Sequence, residues 1–137
     1  MRHCRWSPLV RVCYGLEIDS SAANAQGFGR ASREYRKAGE HAGIVWDDNA
    51  DLVFWWGSPV LFAPTMDRKY VFGSVFESPE MLPEFQEAFD HPAVVAIITP
   101  STFCQHLFQK HTKKPIYLVP HGFDPDVFTY EEREWSR

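Results

Sequence analysis

Apolar residues along this chain gather into short dense runs separated by turn-forming residues. Residues 50–56 (ADLVFWW) and 93–99 (AVVAIIT) are nearly continuous apolar stretches. A run this short and this unbroken is what a strand buried on both faces requires. Residues 10–18, 44–46, 69–76 (KYVFGSVF) and 116–119 (IYLV) are rich in β-branched and aromatic residues, which predicts strands there too. Asp19-Ser20-Ser21, Asp47-Asp48-Asn49, Gly57-Ser58-Pro59 and Glu77-Ser78-Pro79 punctuate them as turns.

Between the strands the period lengthens. Residues 30–43 place Ala31, Tyr35, Ala38 and Ala42 at three- and four-residue steps, so one helical face is apolar, and Gly43 suits the stop. Residues 82–91 read as a helix with Leu82, Phe85 and Phe89 inward, ended by Pro92. A third helix opens after Pro100 and runs to His111, with Ser101 as N-cap and Phe103, Leu107 and Phe108 on its apolar face.

Strand and helix therefore alternate. That order predicts an α/β fold, a Rossmann-like three-layer α/β/α domain with a mainly parallel sheet. Right-handed crossovers put every strand-to-helix loop on one edge, where ligands of such sheets bind. The predicted domain spans residues 1–128. Residues 129–137 are a charged tail or the start of an interdomain linker.

Composition narrows the function classes. The chain has 137 residues and a net charge of -4 with scattered lysine and arginine, which excludes the dominant basic face of a nucleic-acid domain. No apolar run approaches the ~20 residues of a membrane helix. The N-terminus lacks the long apolar core of a signal peptide, so a cytoplasmic location is the default expectation. The 3 cysteines, Cys4, Cys13 and Cys104, are too widely spaced for a disulfide framework or a zinc site and read as reduced thiols. Apart from His106 and His111, which are five residues apart and poorly placed for one helical face, the histidines show no metal-ligand spacing, and no metal and no cofactor are expected. Aromatic residues reach 15%, enough that some rings should remain at a ligand or partner surface.

Candidate chemistry falls on strand ends. Gly27-Phe28-Gly29 precedes the first helix, where a phosphate or sugar can approach the backbone. Ser32 stands where the dinucleotide fingerprint has its third glycine, so the glycines serve equally well as a tight turn. Glu77 follows a predicted strand and faces the expected cleft, either as a hydrogen-bonding group or base for a hydroxyl, or as a cap on the next helix. Thr99-Pro100-Ser101 caps a helix and leaves amides that can hold an anion. His121-Gly122-Phe123-Asp124 leaves the last strand, as a ligand contact or a chain-redirecting turn. In Trp55-Trp56, alternation sends one ring to the core and the other toward the cleft, where a sugar face could stack.

Taken in order, these segments resemble the N-terminal domain of GT-B glycosyltransferases of the family 4 type. Gly27-Phe28-Gly29-Arg30 is similar to the first glycine loop, and Ala50-Asp51-Leu52-Val53-Phe54 to the "ADLV" strand. Phe76-Glu77-Ser78 followed by Leu82-Pro83 resembles the Glu-Ser…Leu-Pro segment of one subgroup. Thr99-Pro100-Ser101 and residues 116–128 (IYLVPHGFDPDVF) resemble the helix start and closing segment of the domain. The match runs over residues 10–128.

The resemblance implies sugar transfer from a nucleotide-sugar donor to an acceptor hydroxyl, in a cleft between two domains and without a required metal. The N-terminal domain holds mainly the acceptor. Gly27 and Gly29 would approach the donor phosphates, Glu77 would lie beside the reacting hydroxyls, and His121 would sit near the domain junction. Phe28, Trp56, Ser78, Ser101 and Asp124 complete the expected substrate contacts. The family's paired-glutamate motif lies in the donor-binding C-terminal domain and is absent from this chain. We therefore expect a C-terminal domain or partner subunit to complete the enzyme, and the isolated chain to be inactive. The alternative expectation is a non-catalytic module that holds a sugar or nucleotide on the same fold. A Rossmann dehydrogenase ranks below both, because the glycine motif is incomplete.

Overall fold

A computed structural model of the chain describes residues 10–14 and 27–123. Among these residues six strands and three helices follow in the order β1 (Arg11–Tyr14), α1 (Gly27–His41), β2 (Val45–Trp46), β3 (Leu52–Trp56), β4 (Lys69–Gly73), α2 (Pro83–Asp90), β5 (Val94–Thr99), α3 (Thr102–Gln109) and β6 (Ile116–Leu118), so that β2, β3 and β4 succeed one another without an α-helix between them. A 3-10 turn, Pro59–Leu61, interrupts the long connection from β3 to β4. The strands form one sheet in the order β2-β1-β3-β4-β5-β6. Every pairing is parallel. The expected α/β parallel-sheet architecture is thus present.

The order reverses once. From β1 the chain steps outward to β2, then returns to the other side of β1 and continues outward through β6. The reversal falls between β1 and β3, the place where open α/β sheets form their ligand crevice. In β5, Tyr70 pairs with Val94 and Val71 with Ala96, so Val95 is a bulge.

Each face has its own core. On one side Cys13, Val53, Tyr70, Phe72, Val94 and Ile97 meet Phe85, Ala88 and Phe89 of α2 and Cys104, Leu107 and Phe108 of α3. Phe72 is at the centre, with Phe62 5.0 Å and Phe89 5.9 Å away, ring to ring. On the other side α1 covers Tyr14, Trp46 and Phe54. The Tyr14 hydroxyl donates to the Ser32 carbonyl, and the Trp46 indole N–H donates to the Arg36 carbonyl at 3.1 Å.

Local chemistry explains the helix ends. Gly43 has φ +84°, its N–H donates to Glu40 O, and Ile44 N–H donates to Gly39 O. This pair of bonds closes α1 with a left-handed glycine cap. Ser101 caps α3 as expected, its Oγ accepting from Cys104 N–H at 3.0 Å.

The helices begin elsewhere than the periodicity suggested. α1 starts at Gly27 rather than at Arg30, so the glycine pair lies inside the first turn. Leu82, expected inward, is the extended N-cap of α2 and is exposed, while Ala88 is buried instead. Phe103, also expected inward, is exposed, and Cys104 takes its place in the core. β4 ends at Gly73, short of the expected Phe76. The first strand is described from Arg11 to Tyr14, and its expected continuation to residue 18 lies outside the described residues.

Gly73 marks a close approach. A Cβ there would meet Trp56 Cε3 at 2.5 Å, Ile98 Cγ1 at 3.1 Å and the Trp55 carbonyl at 3.2 Å. Gly73→Ala is expected to cost about 1–3 kcal/mol, the usual range for overpacking. Denaturant titration checks it, and pairing it with Trp56→Phe should recover part of the loss, because the clash is with the indole.

No described helix is long and apolar enough to cross a membrane. Cys13 and Cys104 are buried free thiols.

Candidate functional site

The carboxyl ends of the strands collect most of the residues singled out above. β1 is described as far as Tyr14, and β3 ends at Trp56, β4 at Gly73, β5 at Thr99 and β6 at Leu118. The start of α1 lies at the same edge, because α1 follows β1 through a strand-to-helix connection. The first-turn amides of a helix have no partner within it and point toward this edge. Gly27 is exposed, and a Cβ there would meet nothing within 4 Å among the described residues. Gly29 is buried. Phe28 belongs to the same turn, and its side chain lies outside what is described.

A ring cluster lies beside the reversal point. Tyr35 packs on Trp56 at 4.6 Å between centroids, and His121 stands 5.7 Å from Tyr35 and 5.6 Å from Trp56. The Tyr35 hydroxyl donates to the Val119 carbonyl at 3.3 Å. The exit of β6 is thereby tied to α1 across the end of the sheet. His121 is exposed. Trp56 is only 1% exposed, so its ring forms a floor under Tyr35 and His121 and offers no stacking face to solvent. Trp55 turns to the other side, half-buried, with its ring 5.5 Å from Phe62.

Tyr14 and Tyr35 are both held protonated. Burial raises Tyr14, opposed by its hydrogen bond with Ser32 and by Arg36, whose guanidinium carbon is 5.8 Å from the ring. Burial raises Tyr35 to about 12, and neighbouring Tyr14 adds to this. Below pH 10.0 the Tyr35 hydroxyl keeps its proton folded or unfolded; from there to about 12 only the unfolded chain releases it, so stability falls as pH rises. Tyr35→Phe is expected to flatten that fall in denaturation midpoints measured across this window. An unchanged slope would mean that the hydroxyl is not held this way.

Glu77 lies further along the β4 exit than the sequence suggested. Ser74, Val75 and Phe76 separate it from Gly73. Ser74 is fully buried, its N–H donates to Ile98 O, and its Oγ donates to the Gly57 carbonyl at 2.8 Å. Phe76 is held at both backbone atoms by one thiol: its N–H donates to Cys104 Sγ at 3.3 Å, and the thiol donates to its carbonyl at 3.1 Å. Glu77 follows directly, exposed, with no hydrogen bond or ion pair among the described residues. It does not cap α2, whose N-cap is Leu82. The Ser78 hydroxyl is engaged locally, accepting from Glu80 N–H at 3.3 Å.

Ser101 belongs to the same edge, its Oγ committed to the α3 cap. Beneath it Thr99 is fully buried, and its Oγ1 has no hydrogen-bond partner. Asp124 lies outside the described residues. Tyr14, Tyr35, Ser74 and Cys104 shape this edge without having been singled out as functional. No cluster of metal-ligating side chains occurs among the described residues.

Exposed apolar side chains rim the edge: Val60 and Leu61 after β3, Leu82 before α2, Phe103 at the start of α3, and Phe123, 75% exposed, after β6. The opposite edge holds an open depression of about 600 Å³ lined by Asp90, His111, Thr112, Lys113, Lys114 and Pro115. There α2 and α3 present their C-terminal ends, and the Lys114 ammonium, lowered by burial, donates to the His91 carbonyl. Lys113 and Lys114 thus stand near helix C-termini, where cations are favoured.

No protein-family model matches the chain, and no curated protein or solved structure matches it at a significant level.

Proposed function

We propose that this edge is the acceptor-binding half of a glycosyltransferase cleft. The observation that carries the reading is the convergence on one sheet edge of a glycine-started helix, a free carboxylate and a histidine, rimmed by exposed apolar side chains. Such a rim on a small domain marks a surface that another body covers. A donor-binding domain, in the same polypeptide or a partner subunit, fits that role and would supply the nucleotide-sugar site.

Each residue then has a task. The backbone at Gly27 approaches donor phosphates through first-turn amides. Glu77 accepts a hydrogen bond from the acceptor hydroxyl and takes its proton as that oxygen bonds to the sugar's anomeric carbon, while the sugar–phosphate bond breaks and the nucleoside diphosphate leaves with the electron pair. Cys104, by fixing both sides of the Phe76 peptide, sets where the Glu77 carboxylate begins. His121 lines the junction, with Tyr35 and Trp56 behind it. Trp56 supports the site from below. The reading carries a cytoplasmic setting, where buried thiols stay reduced.

Calorimetric titration of the chain with nucleotide sugars separates this reading from a self-contained sugar- or nucleotide-binding module. Binding weaker than about 1 mM is expected, since the donor site is contributed from elsewhere. A micromolar dissociation constant, about 4 kcal/mol tighter, would assign the protein to the module class.

A further inference from the structure

The ends of β3, β4 and β5 meet at one buried hydroxyl. Ser74 follows the last residue of β4 and is fully buried. Its N–H donates to Ile98 O of β5 at 3.2 Å. Its Oγ donates at 2.8 Å to the carbonyl of Gly57, the residue after β3. Gly57 N–H donates in turn to Gly73 O at 3.0 Å. The strand ends are thereby held together just past the sheet. Gly57 is itself buried, so its carbonyl would be left unpaired away from bulk water if the Ser74 hydroxyl were removed.

The two sides of the edge hang from this clamp on opposite faces of the sheet. Toward α1, Gly57 follows Trp56, the floor under Tyr35 and His121. Toward α3, Ser74 leads through Val75 to Phe76, whose peptide is held by the Cys104 thiol, and so to Glu77. A continuous path of backbone and hydrogen bonds thus runs from the ring cluster, through Gly57 and Ser74, to the attachment point of the carboxylate.

We infer that Ser74 is a positioning residue for Glu77. By tying the β3 exit to the β4 exit, it fixes the carboxylate relative to His121 and the rings beneath it. An acceptor lying between them then presents its hydroxyl to the carboxylate. This role rests on the transferase reading. A misplacement of about 1 Å at a reacting centre costs on the order of 10²-fold in rate, so a clamp one hydrogen bond wide has leverage on turnover. A purely structural serine would satisfy the Gly57 carbonyl and do nothing more. The two roles part in their dependence on Glu77.

The test is a double-mutant cycle in a transfer reaction with a donor-binding domain present, joined to amide exchange on the chain alone. Ser74→Ala is expected to lower the rate about 10-fold or more in the parent and within about 2-fold in the Glu77→Ala background, because the clamp acts through the carboxylate. In the chain alone, the Gly57 and Phe76 amides should exchange about 10-fold faster in Ser74→Ala, with those of Phe72 and Ile97 little changed. Equal rate losses in the two backgrounds would make Ser74 structural and overturn the inference. So would exchange that rises uniformly across the sheet. A parent chain that forms no product with the donor-binding domain would instead overturn the transferase reading, and the role of Ser74 with it.

Discussion

Phe72→Ala is expected to remove about 3–5 kcal/mol, the range for deleting a buried aromatic ring. Phe72 is fully buried in the middle strand of the α2/α3 core and touches both the β3–β4 connection and α2, through Phe62 and Phe89. Neither neighbour can close the cavity by itself, because each is held by further rings: Phe62 by Tyr70, and Phe89 by Phe108. Domains of this size have about 5–15 kcal/mol in total, so the variant should unfold at a midpoint lower by about 10 °C or more. Leu61→Ala makes the control. Leu61 is largely exposed on the rim, and its loss should stay within about 0.5 kcal/mol. Equal losses in the two variants would mean that the core is not organised around Phe72.

The second large effect is on turnover. In a transfer reaction run with a donor-binding domain present, Glu77→Ala is expected to lower the rate about 10²-fold or more, the scale of lost acid–base help. Thermal stability should barely move, because Glu77 is exposed and has no partner to lose among the described residues. That separation between rate and stability is the diagnostic part. A rate within a few-fold of the parent would remove Glu77 from the chemistry, and a large loss of stability would make it structural.

Much of the fold is readable from local pattern. The runs at 50–56 and 93–99 are short, dense and bounded by turn residues, and they hold β3 and β5. Helix phase is harder, because a residue next to a cap does not share the face that periodicity assigns. Leu82 has the extended backbone of an N-cap, φ -76° and ψ 145°, and so points away from the α2 face. Phe103 occupies the first turn of α3, where Cys104 is drawn inward by its bonds to Phe76.

The site divides along the same line. Strand ends are legible, so Gly27, Glu77, Ser101 and His121 could be assigned to one edge. Which ring is covered is not, because the alternation of Trp55 and Trp56 fixes opposite faces without saying which one α1 overlies. The ties that shape the edge join residues far apart in sequence. Tyr14 bonds Ser32 across 18 positions, and Tyr35 bonds Val119 across 84. No local period carries information over such distances; only the strand order brings them together. Ser32 illustrates the gain: it replaces a fingerprint glycine, and its hydroxyl lies 2.7 Å from that of Tyr14, pinning α1 to β1.

The most direct test of the proposed role is a transfer assay with labelled nucleotide sugars and a panel of acceptor glycosides. It would compare the chain alone, a donor-binding GT-B domain alone, and the two combined or fused. Product is expected only when both halves are present, and it should fall about 10²-fold with Glu77→Ala. Contradiction would be product that forms without this chain, or no product from any combination while the chain alone binds a nucleotide sugar tightly.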